Sequence, residues 1–416
     1  MRKVLDLHIH SRYSRACSPS LTLPNIASTA QEKGVDIIAT GDFSYPQWYK
    51  HIKAELEEVN MSGLYALKKN KNIKTLFILA TELSLVYKDE GKARRIHVMV
   101  QAPNLEAVKT LNEHLDKKYN IRSDGRPILG MSAPDLLKLC LSIHPKFLIY
   151  PAHIWTPWYA VFGSKSGFDS IKECFKDQTK YIYAYETGLS SDPEMNWRVS
   201  SLDNLSILSS SDAHSLQNIG REVNVMDLDE LSYDEIHEAI KNKDLNKLKY
   251  TIEFYPEEGR YHFDGHRDCN FSAKPQETKK LKGICPKCKK PLVLGVLYRV
   301  EELADRDKNY KPKNCQDYKK LIELDKILAQ SLNIKSRKSL KVQSIYKKMI
   351  NSLGSELDIL LEIKIDKIKK EFGDTIALAI DRMRKGNLII NPGFDGKYGE
   401  IKIFSDKEKK EQAKSI

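Results

Sequence analysis

The feature that most constrains the fold is a repeated pattern in residues 1–225, where short apolar runs alternate with segments of helical periodicity. Six apolar runs are typical of buried strands: GVDIIATGDF, TLFILATELSLVY, RRIHVMVQAP, KFLIYPAHIW, KYIYAYETGLS and NLSILSSSDAHS. Helical stretches such as LPNIASTAQEKG and SAPDLLKLCLSI separate several of them, with Gly34 suited to end the first and Ser132 to cap the second. Alternation of this kind predicts a parallel α/β sheet or barrel.

Acidic residues and histidines stand at or near the C-terminal ends of these strands. They are Asp42, Glu82, His153, Glu186, Asp212 and His214, with His97 inside its strand. In an α/β barrel the C-terminal ends of the strands converge on one volume. The first run, VLDLHIH, adds His8 and His10, which point the same way because strand side chains alternate between faces. Each residue alone is more often a cap, a surface acid or a core histidine, but the whole set predicts a shared metal centre.

Composition limits the class of protein. A chain of 416 residues with 41% hydrophobic residues can bury a large core and form two or three domains. No apolar run approaches the roughly 20 residues that cross a bilayer. The N-terminus lacks a signal-peptide pattern, and the seven cysteines favour reduced thiols in a cytoplasmic protein. The net charge of +12 suits a polyanionic partner, although Lys- and Glu-rich surfaces also occur in heat-adapted proteins.

The motifs DLHIHSRYS, TGDF, ATEL, RRIHV, YPAH and SSDAH resemble those of the polymerase and histidinol phosphatase (PHP) superfamily. The resemblance implies an α/β fold, a PHP-type distorted (β/α)7 barrel, that holds two or three divalent ions (Zn, Mg or Mn). The ligands implied by motif are His8, His10, Glu82, His97, His153, Asp212 and His214.

Two positions depart from the PHP pattern. Members usually read Thr-Asp-His where this chain has Gly41-Asp42-Phe43, so Asp42 is the residue that would coordinate in place of the missing histidine. Many members also have a ligand shortly after the first histidine pair, where this chain offers only Cys17.

A centre of this kind predicts phosphoester hydrolysis. Two or three divalent ions lower the pKa of a bound water and clamp the oxygens of a phosphate. We expect Asp212, His10 and Glu82 to be the catalytic core of the centre. Arg94, Arg95 and Arg221 lie beside motif residues or shortly after one, where they could contact a phosphate or simply lie on the surface.

The second half of the chain contains a pair of knuckles, His266-x2-Cys269 and Cys285-x2-Cys288. This spacing predicts one structural zinc ion, because each two-residue gap lets both ligands of a pair face one ion. His262 is an alternative to His266, and a redox-active CxxC is the alternative to zinc.

Basic residues surround the knuckles and recur further along. Lys287 and Lys289 lie at the second knuckle, and NIKSRKSLKVQSIYKKM places six Lys or Arg residues between positions 335 and 348. Such clusters are usually solvated surface, but beside a phosphoesterase centre they indicate contacts to the phosphate backbone of DNA. In PAHIWTPWY, Trp155 and Trp158 follow His153 and suit either base stacking or core packing.

The remaining patterns suggest three domains. Residues 1–250 form the predicted PHP catalytic domain, residues 251–305 a zinc-binding module, and residues 306–416 a mainly helical, basic, DNA-contacting domain. Within the last of these, SLGSELDILLEIKIDKIKKEFGDTIALAIDRMRKGN has an apolar stripe of helical period. LIINPGFDGKYGEI predicts a hairpin, or a loop that approaches nucleic acid closely.

The whole chain also resembles the endonuclease Q family of archaeal and bacterial repair nucleases. The matching stretches are GDFSYPQW, RRIHVMVQAP, PAHIWTPWY, YAYETGLSSDPEMNWR, SSSDAHS, IGRE, YHFDGHRDC, CPKC, RVEELADR and NPGFDGKYG. The resemblance implies a metal-dependent endonuclease that cuts DNA 5′ to deaminated bases (uracil, hypoxanthine, xanthine) and to abasic sites. Its implied partners are double- or single-stranded DNA with lesions and a replication or repair protein, with no membrane.

Two other functions are compatible with the same residues. A PHP-type phosphatase acting on a small phosphomonoester accounts for the barrel but leaves the zinc module unexplained. A DNA-binding module with a structural metal barrel accounts for Phe43 in place of histidine.

Overall fold

The computed structural model describes residues 1–414, and its first part is a distorted barrel of mixed strands. Its strands are β1 (Arg2–Asp6), β2 (Ile37–Ala39), β3 (Leu56–Glu58), β4 (Leu64–Leu67), β5 (Leu76–Ile78), β6 (Ala80–Asp89), β7 (Lys92–Gln101), β8 (Ile128–Leu129), β9 (Leu148–Pro151), β10 (Ala184–Glu186), β11 (Ser206–Leu208), β12 (Val223–Asp227) and β13 (Leu248–Glu253). Its helices are α1 (Leu23–Lys33), α2 (Pro46–Glu55), α3 (Leu105–Asp116), α4 (Ala133–Ile143), α5 (Ile171–Phe175), α6 (Pro193–Asn196) and α7 (Tyr233–Lys241).

The second part of the chain is mainly helical. Its elements are β14 (Asp264–His266), β15 (Phe271–Ala273), α8 (Pro275–Lys280), α9 (Val296–Leu303), β16 (Asp317–Lys320), α10 (Leu324–Ser331), α11 (Leu340–Leu353), α12 (Glu356–Leu361), α13 (Ile365–Phe372), α14 (Asp374–Arg384), β17 (Ile389–Asn391), β18 (Glu400–Lys402) and α15 (Asp406–Lys414). No helix within residues 1–414 is long and apolar enough to cross a membrane.

Three groups of strands close the barrel. The large sheet has the order β16-β13-β12-β1-β2-β5-β4-β3, the second has the order β8-β6-β7-β9, and β10 pairs with β11. The chain passes from β5 to β6 across Leu79, and the Ile154 amide donates to the Glu186 carbonyl at 3.0 Å, which links β9 to β10. The Asp212 amide donates to the His8 carbonyl at 2.9 Å and returns the ring to β1. The predicted α/β barrel with a helical C-terminal region is confirmed.

The barrel is mixed rather than parallel, which differs from the sequence-based expectation. β6 and β7 are antiparallel, and their turn at Glu90 and Gly91 has φ of 49° and 77° at its two central residues. A two-residue turn with positive φ joins antiparallel strands, whereas parallel strands need a long crossover. The helix ends are as predicted, since Gly34 has φ 89° and the Ser132 side chain accepts from the Asp135 amide.

The C-terminal helices pack on the barrel and share its core. Buried side chains such as Leu328 of α10, Ile359 of α12 and Ile380 of α14 belong to the same apolar cluster as Leu5 and Ile38 of the barrel. The stretch with the predicted helical period forms three short helices, α12, α13 and α14. β16 pairs in parallel with β13, so part of the predicted third domain belongs to the barrel sheet.

Charged side chains are also buried where these helices meet the barrel. Lys33 of α1 and Glu356 of α12 form an ion pair of 2.6 Å whose side chains are only 6% and 5% exposed. The Tyr346 hydroxyl donates to the same Glu356 carboxylate at 2.7 Å, and the Leu324 amide donates to it at 3.0 Å. This carboxylate is thus satisfied from three elements.

The buried charges continue along α10. Arg337 donates to Glu323 and Asp325 at 3.1 and 3.3 Å, and to the Asn218 side chain at 2.8 Å. The Gln217 side chain donates to Asp325 at 2.6 Å. We call Lys33, Glu323, Asp325, Arg337 and Glu356 the buried ion network. It ties the C-terminal helices to the segment that follows Asp212 and His214 in the sequence.

Replacement of Lys33 by methionine is expected to destabilise the protein strongly. It leaves Glu356 buried without its cation, which costs about 3–5 kcal/mol of unfolding free energy. Urea unfolding of the full chain measures the change. The matched control is Lys347→Met, since Lys347 pairs with Glu32 but is 54% exposed and should cost less than about 1 kcal/mol. Equal losses in the two variants would contradict the network.

The β17–β18 hairpin packs on the segment that contains β14, β15 and α8. Ile390 of β17 pairs with Ile401 of β18 in antiparallel register, which confirms the predicted hairpin. The Phe263 amide donates to the Gly393 carbonyl at 3.0 Å, and Phe394 packs against the space beside Gly265. The buried side chains Ala273, Leu292 and Phe394 lie outside the main apolar cluster, so this module has a small apolar core of its own.

Candidate metal centre

His8 and His10 follow β1 in a segment that remains extended after the strand ends. The Asp212 amide donates to the His8 carbonyl at 2.9 Å, and the His10 amide donates to the Ala213 carbonyl at 3.1 Å. Ile9 lies between the two histidines and is buried in the apolar core. Because side chains alternate, both imidazoles face the barrel interior, with ring centroids 5.4 Å apart.

Four side chains form a first group of candidate ligands: His8, His10, Glu82 and Asp212, each with a ligand atom within 4.8 Å of the others. His10 Nε2 lies 3.1 Å from Asp212 Oδ1 and 3.2 Å from Glu82 Oε2. His8 Nε2 lies 3.6 Å from the same two oxygens. The two histidines and Glu82 are fully buried, whereas the Asp212 side chain is 22% exposed and faces the opening of the site.

A second group shares Glu82 with the first. His97 Nδ1 lies 2.8 Å and His153 Nε2 2.9 Å from Glu82 Oε1, the oxygen that the first group leaves free. The two oxygens of one carboxylate therefore face two sets of nitrogen atoms. A carboxylate in this position is suited to bridge two metal ions.

The donor atoms at the centre fit divalent cations. His8 Nε2, His10 Nε2 and Asp212 Oδ1 are buried and have no hydrogen-bond partner among the described residues. Burial lowers the pKa of His8 and His10, but the surrounding carboxylates outweigh it and raise both pKa values well above the usual range. The site thus attracts positive charge, and imidazole with carboxylate is a donor set that Zn and Mn accept.

Asp42 and Glu186 contact the far sides of the histidines. His8 Nδ1 donates to Glu186 at 3.0 Å, and Glu186 also accepts from the His153 amide at 3.1 Å. His10 Nδ1 donates to Asp42 Oδ1 at 3.0 Å. Partners of this kind fix the orientation of a ligand imidazole. Sequence reasoning noted Glu186 at a strand end but did not include it in the ligand set.

The structure does not place Asp42 in either ligand group, contrary to the expectation that it replaces the missing histidine. Its Oδ2 accepts from the Ser11 amide and hydroxyl at 2.7 Å and from the Ser14 hydroxyl at 2.9 Å. Burial raises the pKa of this carboxyl, but the His10 imidazole and the Ser11 donors have the larger combined effect. The pKa of Asp42 is therefore below its usual value, and the carboxylate is charged. Its position predicts that it orients His10.

His214 and Cys17 lie near the centre but outside both ligand groups. The His214 ring is 4.6 Å from the His10 ring, and its Nδ1 donates to the Asp212 carbonyl at 2.8 Å. The imidazole is 30% exposed. Burial raises the pKa of the Cys17 thiol to about 12.

Three of the sixteen described non-glycine residues with positive φ belong to the centre. Asp42, His153 and Asp212 have φ of 46°, 31° and 46°, in the left-handed region that non-glycine residues rarely adopt. Gly188 lies against His153, and a Cβ atom at this glycine would collide with that of the histidine. Strain of this kind persists where the surrounding structure fixes a functional side chain.

Arg126 lies in the centre and was missed by sequence reasoning. Its guanidinium is 2.8 Å from Glu82 Oε2 and 23% exposed, between the ligand groups and solvent. Burial lowers the pKa of Arg126, but the charge of Glu82 outweighs it and raises the pKa above the usual range. Its segment, SDGRP, follows no apolar run, so the sequence carries no signal that it enters the site.

The residues predicted to contact DNA have different environments. Trp158 is 40% exposed beside the centre, and Arg95 is exposed on the strand that carries His97. Trp155 is 1% exposed and its indole donates to Asn196 at 2.7 Å, so the predicted DNA contact is wrong for this core residue. Arg221 donates to the Ser211 carbonyl at 2.9 Å and holds the strand end that precedes Asp212.

The Arg94 side chain is bound by neighbouring residues of the protein. It donates to the Gly167 carbonyl and, at 2.9 Å, to Glu173, and it lies over the Phe168 ring at 3.9 Å. With 6% exposure it cannot reach a phosphate from this position.

The candidate zinc site brings together His266, Cys269, Cys285 and Cys288, each with a ligand atom within 4.8 Å of the others. Cys288 Sγ lies 3.6 Å from His266 Nδ1. The alternative residue, His262, lies outside this group and lines a cavity of about 370 Å³ between α6 and the hairpin. All seven cysteines of the chain are free thiols, as predicted.

The lysines and arginines predicted to contact DNA in the second half of the chain are partly exposed and partly bound within the protein. Lys287 and Lys289 are exposed at the turn of the CPKC knuckle, where the Lys287 ammonium donates to the Cys269 carbonyl at 2.9 Å. In the cluster between 335 and 348, Arg337 belongs to the buried ion network and Lys347 pairs with Glu32 at 2.6 Å. Part of that cluster is therefore structural.

Two family models match parts of the chain. The PHP-associated model matches residues 195–245, and the model of the MJ0043 C-terminal domain matches residues 323–387. Among curated proteins, YqxK of Bacillus subtilis is 30% identical over 420 residues, 97% of this chain and 100% of that protein. MJ0043 of Methanocaldococcus jannaschii is 34% identical over 260 residues, 61% of this chain, so the chain spans only 32% of that longer relative.

Two solved structures match over nearly the full length. The lesion-specific endonuclease PfuEndoQ from Pyrococcus furiosus superposes with a TM-score of 0.86 at 31% identity, over 100% of this chain and 99% of that one. Endonuclease Q in complex with a 27-mer duplex substrate, with an abasic lesion at the active site, gives a TM-score of 0.85 at 32% identity over 98% of both chains. The chain belongs to the endonuclease Q family.

Proposed function

We propose that the chain is a metal-dependent DNA repair endonuclease that hydrolyses the phosphodiester 5′ to deaminated bases (uracil, hypoxanthine, xanthine) and to abasic sites. The observation that carries the proposal is the position of Glu82, whose two oxygens face two sets of histidines in a buried, partly open site. Family membership supports the enzyme class, and the abasic duplex bound by its relative supports the substrate class.

Metal chemistry is proposed to come from two ions. His8, His10 and Asp212 would hold one ion, His97 and His153 the other, and Glu82 would bridge them. Ions in this arrangement supply a water of lowered pKa and neutralise the oxygens of a phosphodiester during in-line displacement. The physiological metal is proposed to be Zn, Mg or Mn. His214 is proposed to ligate a third ion.

The other residues of the centre keep the ligands in place. Glu186 and Asp42 hold the Nδ1 protons of His8 and His10, so that Nε2 of each ring remains free for the ion. Arg126 lies at the opening and is placed to contact a phosphate oxygen as negative charge develops on it. Trp158 and Arg95 at the rim are proposed to contact DNA.

His266, Cys269, Cys285 and Cys288 are proposed to bind one structural zinc ion. The small apolar core of this module supports the assignment, because a domain that buries little apolar surface needs a metal or a disulfide. The exposed Lys287 and Lys289 would then face the phosphate backbone.

A nicking assay tests the proposal directly. Labelled duplexes that differ only in one deoxyuridine, deoxyinosine, deoxyxanthosine or abasic residue are incubated with Mg²⁺, Mn²⁺ or Zn²⁺. We expect cleavage 5′ to the lesion and none of the intact duplex. Turnover of a model phosphomonoester without DNA cleavage would favour the phosphatase, and binding without any cleavage would favour a structural barrel.

Substitution of Arg126 by glutamine is expected to lower kcat by about 10²-fold with little change in KM, because the guanidinium acts mainly on charge that develops in the transition state. Steady-state nicking of a deoxyuridine duplex at varied substrate concentration measures both constants. Arg122→Gln is the control, since Arg122 is exposed and pairs only with Asp116. An increase in KM with unchanged kcat would assign Arg126 to ground-state binding instead.

A further inference from the structure

The most exposed large aromatic side chain of the described residues lies at the tip of the β17–β18 hairpin. Tyr398 is 70% exposed, compared with 42% for Tyr310 and 40% for Trp158. It follows the glycine-rich turn NPGFDGK, and two further apolar side chains of the hairpin, Ile389 and Ile390, are 43% and 39% exposed. Exposed apolar side chains grouped in this way mark an interaction surface.

The tip is held rigidly, so the exposure of Tyr398 is built into the fold. The Gly393 amide donates to the Glu257 carbonyl at 2.8 Å, and the Gly399 amide donates to the Glu258 carbonyl at 3.1 Å. The Asp395 carboxylate accepts from the Arg267 amide at 2.6 Å. A Cβ atom at Gly393 or Gly399 would collide with backbone carbonyls of residues 257–259. These glycines allow the hairpin to lie directly against that segment.

The surroundings of Tyr398 are cationic. The Arg260 guanidinium lies 5.0 Å from the Tyr398 ring centroid and donates to the Gly396 carbonyl at 3.0 Å. Lys397 is exposed and donates to the Asn270 side chain at 3.0 Å. The acidic side chain of the turn, Asp395, is already bound by a backbone amide. We call Arg260, Lys397 and Tyr398 the hairpin tip.

A chain of aromatic contacts connects the hairpin tip with the metal centre. The Tyr261 hydroxyl lies 3.7 Å from the Cβ position of Gly396, and the Tyr261 ring is 5.2 Å from that of Trp158. The next residue, Tyr159, lies 4.8 Å from the His97 ring. These contacts link the turn of the hairpin to His97 of the second ligand group.

We propose that the hairpin tip is a second contact site for the DNA duplex, separate from the metal centre. Tyr398 stacks on a base that the lesion leaves unstacked, and Arg260 and Lys397 neutralise the phosphates on either side of it. Proteins that bind single-stranded nucleic acid use the same chemistry: an aromatic ring stacks on a base of any identity, and basic side chains contact the phosphates. This inference rests on the proposed function, since it assumes that lesion-bearing DNA is the substrate.

The test compares Tyr398→Ala with Tyr310→Ala. Tyr310 is a matched control, because it is also an exposed tyrosine beside an arginine, with Arg306 at 4.3 Å. Arg306 binds Asp203, which precedes the N-terminal end of β11. Asp212 of the metal centre follows the C-terminal end of the same strand, so Tyr310 belongs to the opposite end. Fluorescence anisotropy with a labelled abasic duplex gives Kd for the metal-loaded protein on an Asp212→Asn background, which suppresses nicking without a chelator. Nicking by the same variants with Asp212 intact gives kcat/KM. Thermal unfolding checks that both variants fold.

Tyr398→Ala is expected to weaken binding about 5- to 100-fold, the range for loss of one stacked base. Tyr398→Trp is expected to retain binding, and Tyr310→Ala to leave it unchanged. Lys397→Gln is expected to reduce the slope of log Kd against log salt by about 1.

Unchanged Kd and kcat/KM in Tyr398→Ala, with normal nicking by the wild type, would overturn the hairpin proposal and leave the proposed function intact. Failure of the wild type to nick any lesion duplex would instead remove the proposed function. In that case the binding comparison still decides whether the hairpin tip contacts DNA.

Discussion

Substitution of Asp212 by asparagine is expected to lower nicking of lesion duplexes by about 10³-fold or more, because a charged metal ligand is lost. The change preserves the size of the side chain but removes the negative charge that faces His8 and His10. Burial raises the pKa of the Asp212 carboxyl, but the two imidazoles outweigh it and lower the pKa well below the usual range, so the charge is present at neutral pH.

Metal content is measured beside activity in this experiment. Elemental analysis of the purified variant is expected to show less barrel metal per chain, while unfolding temperature changes little. Asp177→Asn, on an exposed aspartate remote in sequence from the ligands, is the control and should retain both metal and nicking. Full nicking by the Asp212 variant would remove this residue from the catalytic core.

Substitution of Cys288 by serine is expected to weaken zinc binding at least about 100-fold and to unfold the segment around β14, β15 and α8, because metal binding drives the folding of such modules. The barrel is expected to remain folded, since the module contributes little to the main apolar cluster. Limited proteolysis should show new cleavage within residues 264–295, together with loss of one zinc ion per chain.

Cys315→Ser is the matched control, because Cys315 is a free thiol outside the candidate zinc group. It should retain zinc and resist the protease. A Cys288 variant that retains zinc and resists the protease would contradict the zinc assignment and favour a redox-active CPKC motif.

The sequence was informative where chemistry follows from strand geometry. The alternation of side chains after β1 predicted that His8 and His10 face one way, and the convergence of strand ends predicted that Glu82 and Asp212 lie near them. Knuckle spacing predicted the grouping of the cysteines in the same way. In each case a local rule fixed the direction of a side chain.

Other features depend on contacts that the local sequence does not encode. Arg126 reaches Glu82 from a loop without periodicity, and Trp155 is buried because Asn196 of α6 satisfies its indole. The tight turn at Glu90 and Gly91 makes β6 and β7 antiparallel, although the apolar pattern of each strand is the same in either direction. Asp42 was expected to coordinate, but the hydroxyls of Ser11 and Ser14 direct it to His10 instead.

The buried ion network has a consequence for any attempt to reduce the protein to a minimal enzyme. Arg337 and Asp325 hold Asn218 and Gln217, which follow Asp212 and His214 along the same loop. A chain truncated after residue 322 would lose Arg337, Asp325 and Glu356 together, leaving Lys33 buried without a counterion and the loop without its anchors. The boundaries predicted at 250 and 306 therefore mark changes of composition, whereas the smallest unit that preserves the geometry of the loop after Asp212 and His214 includes the C-terminal helices.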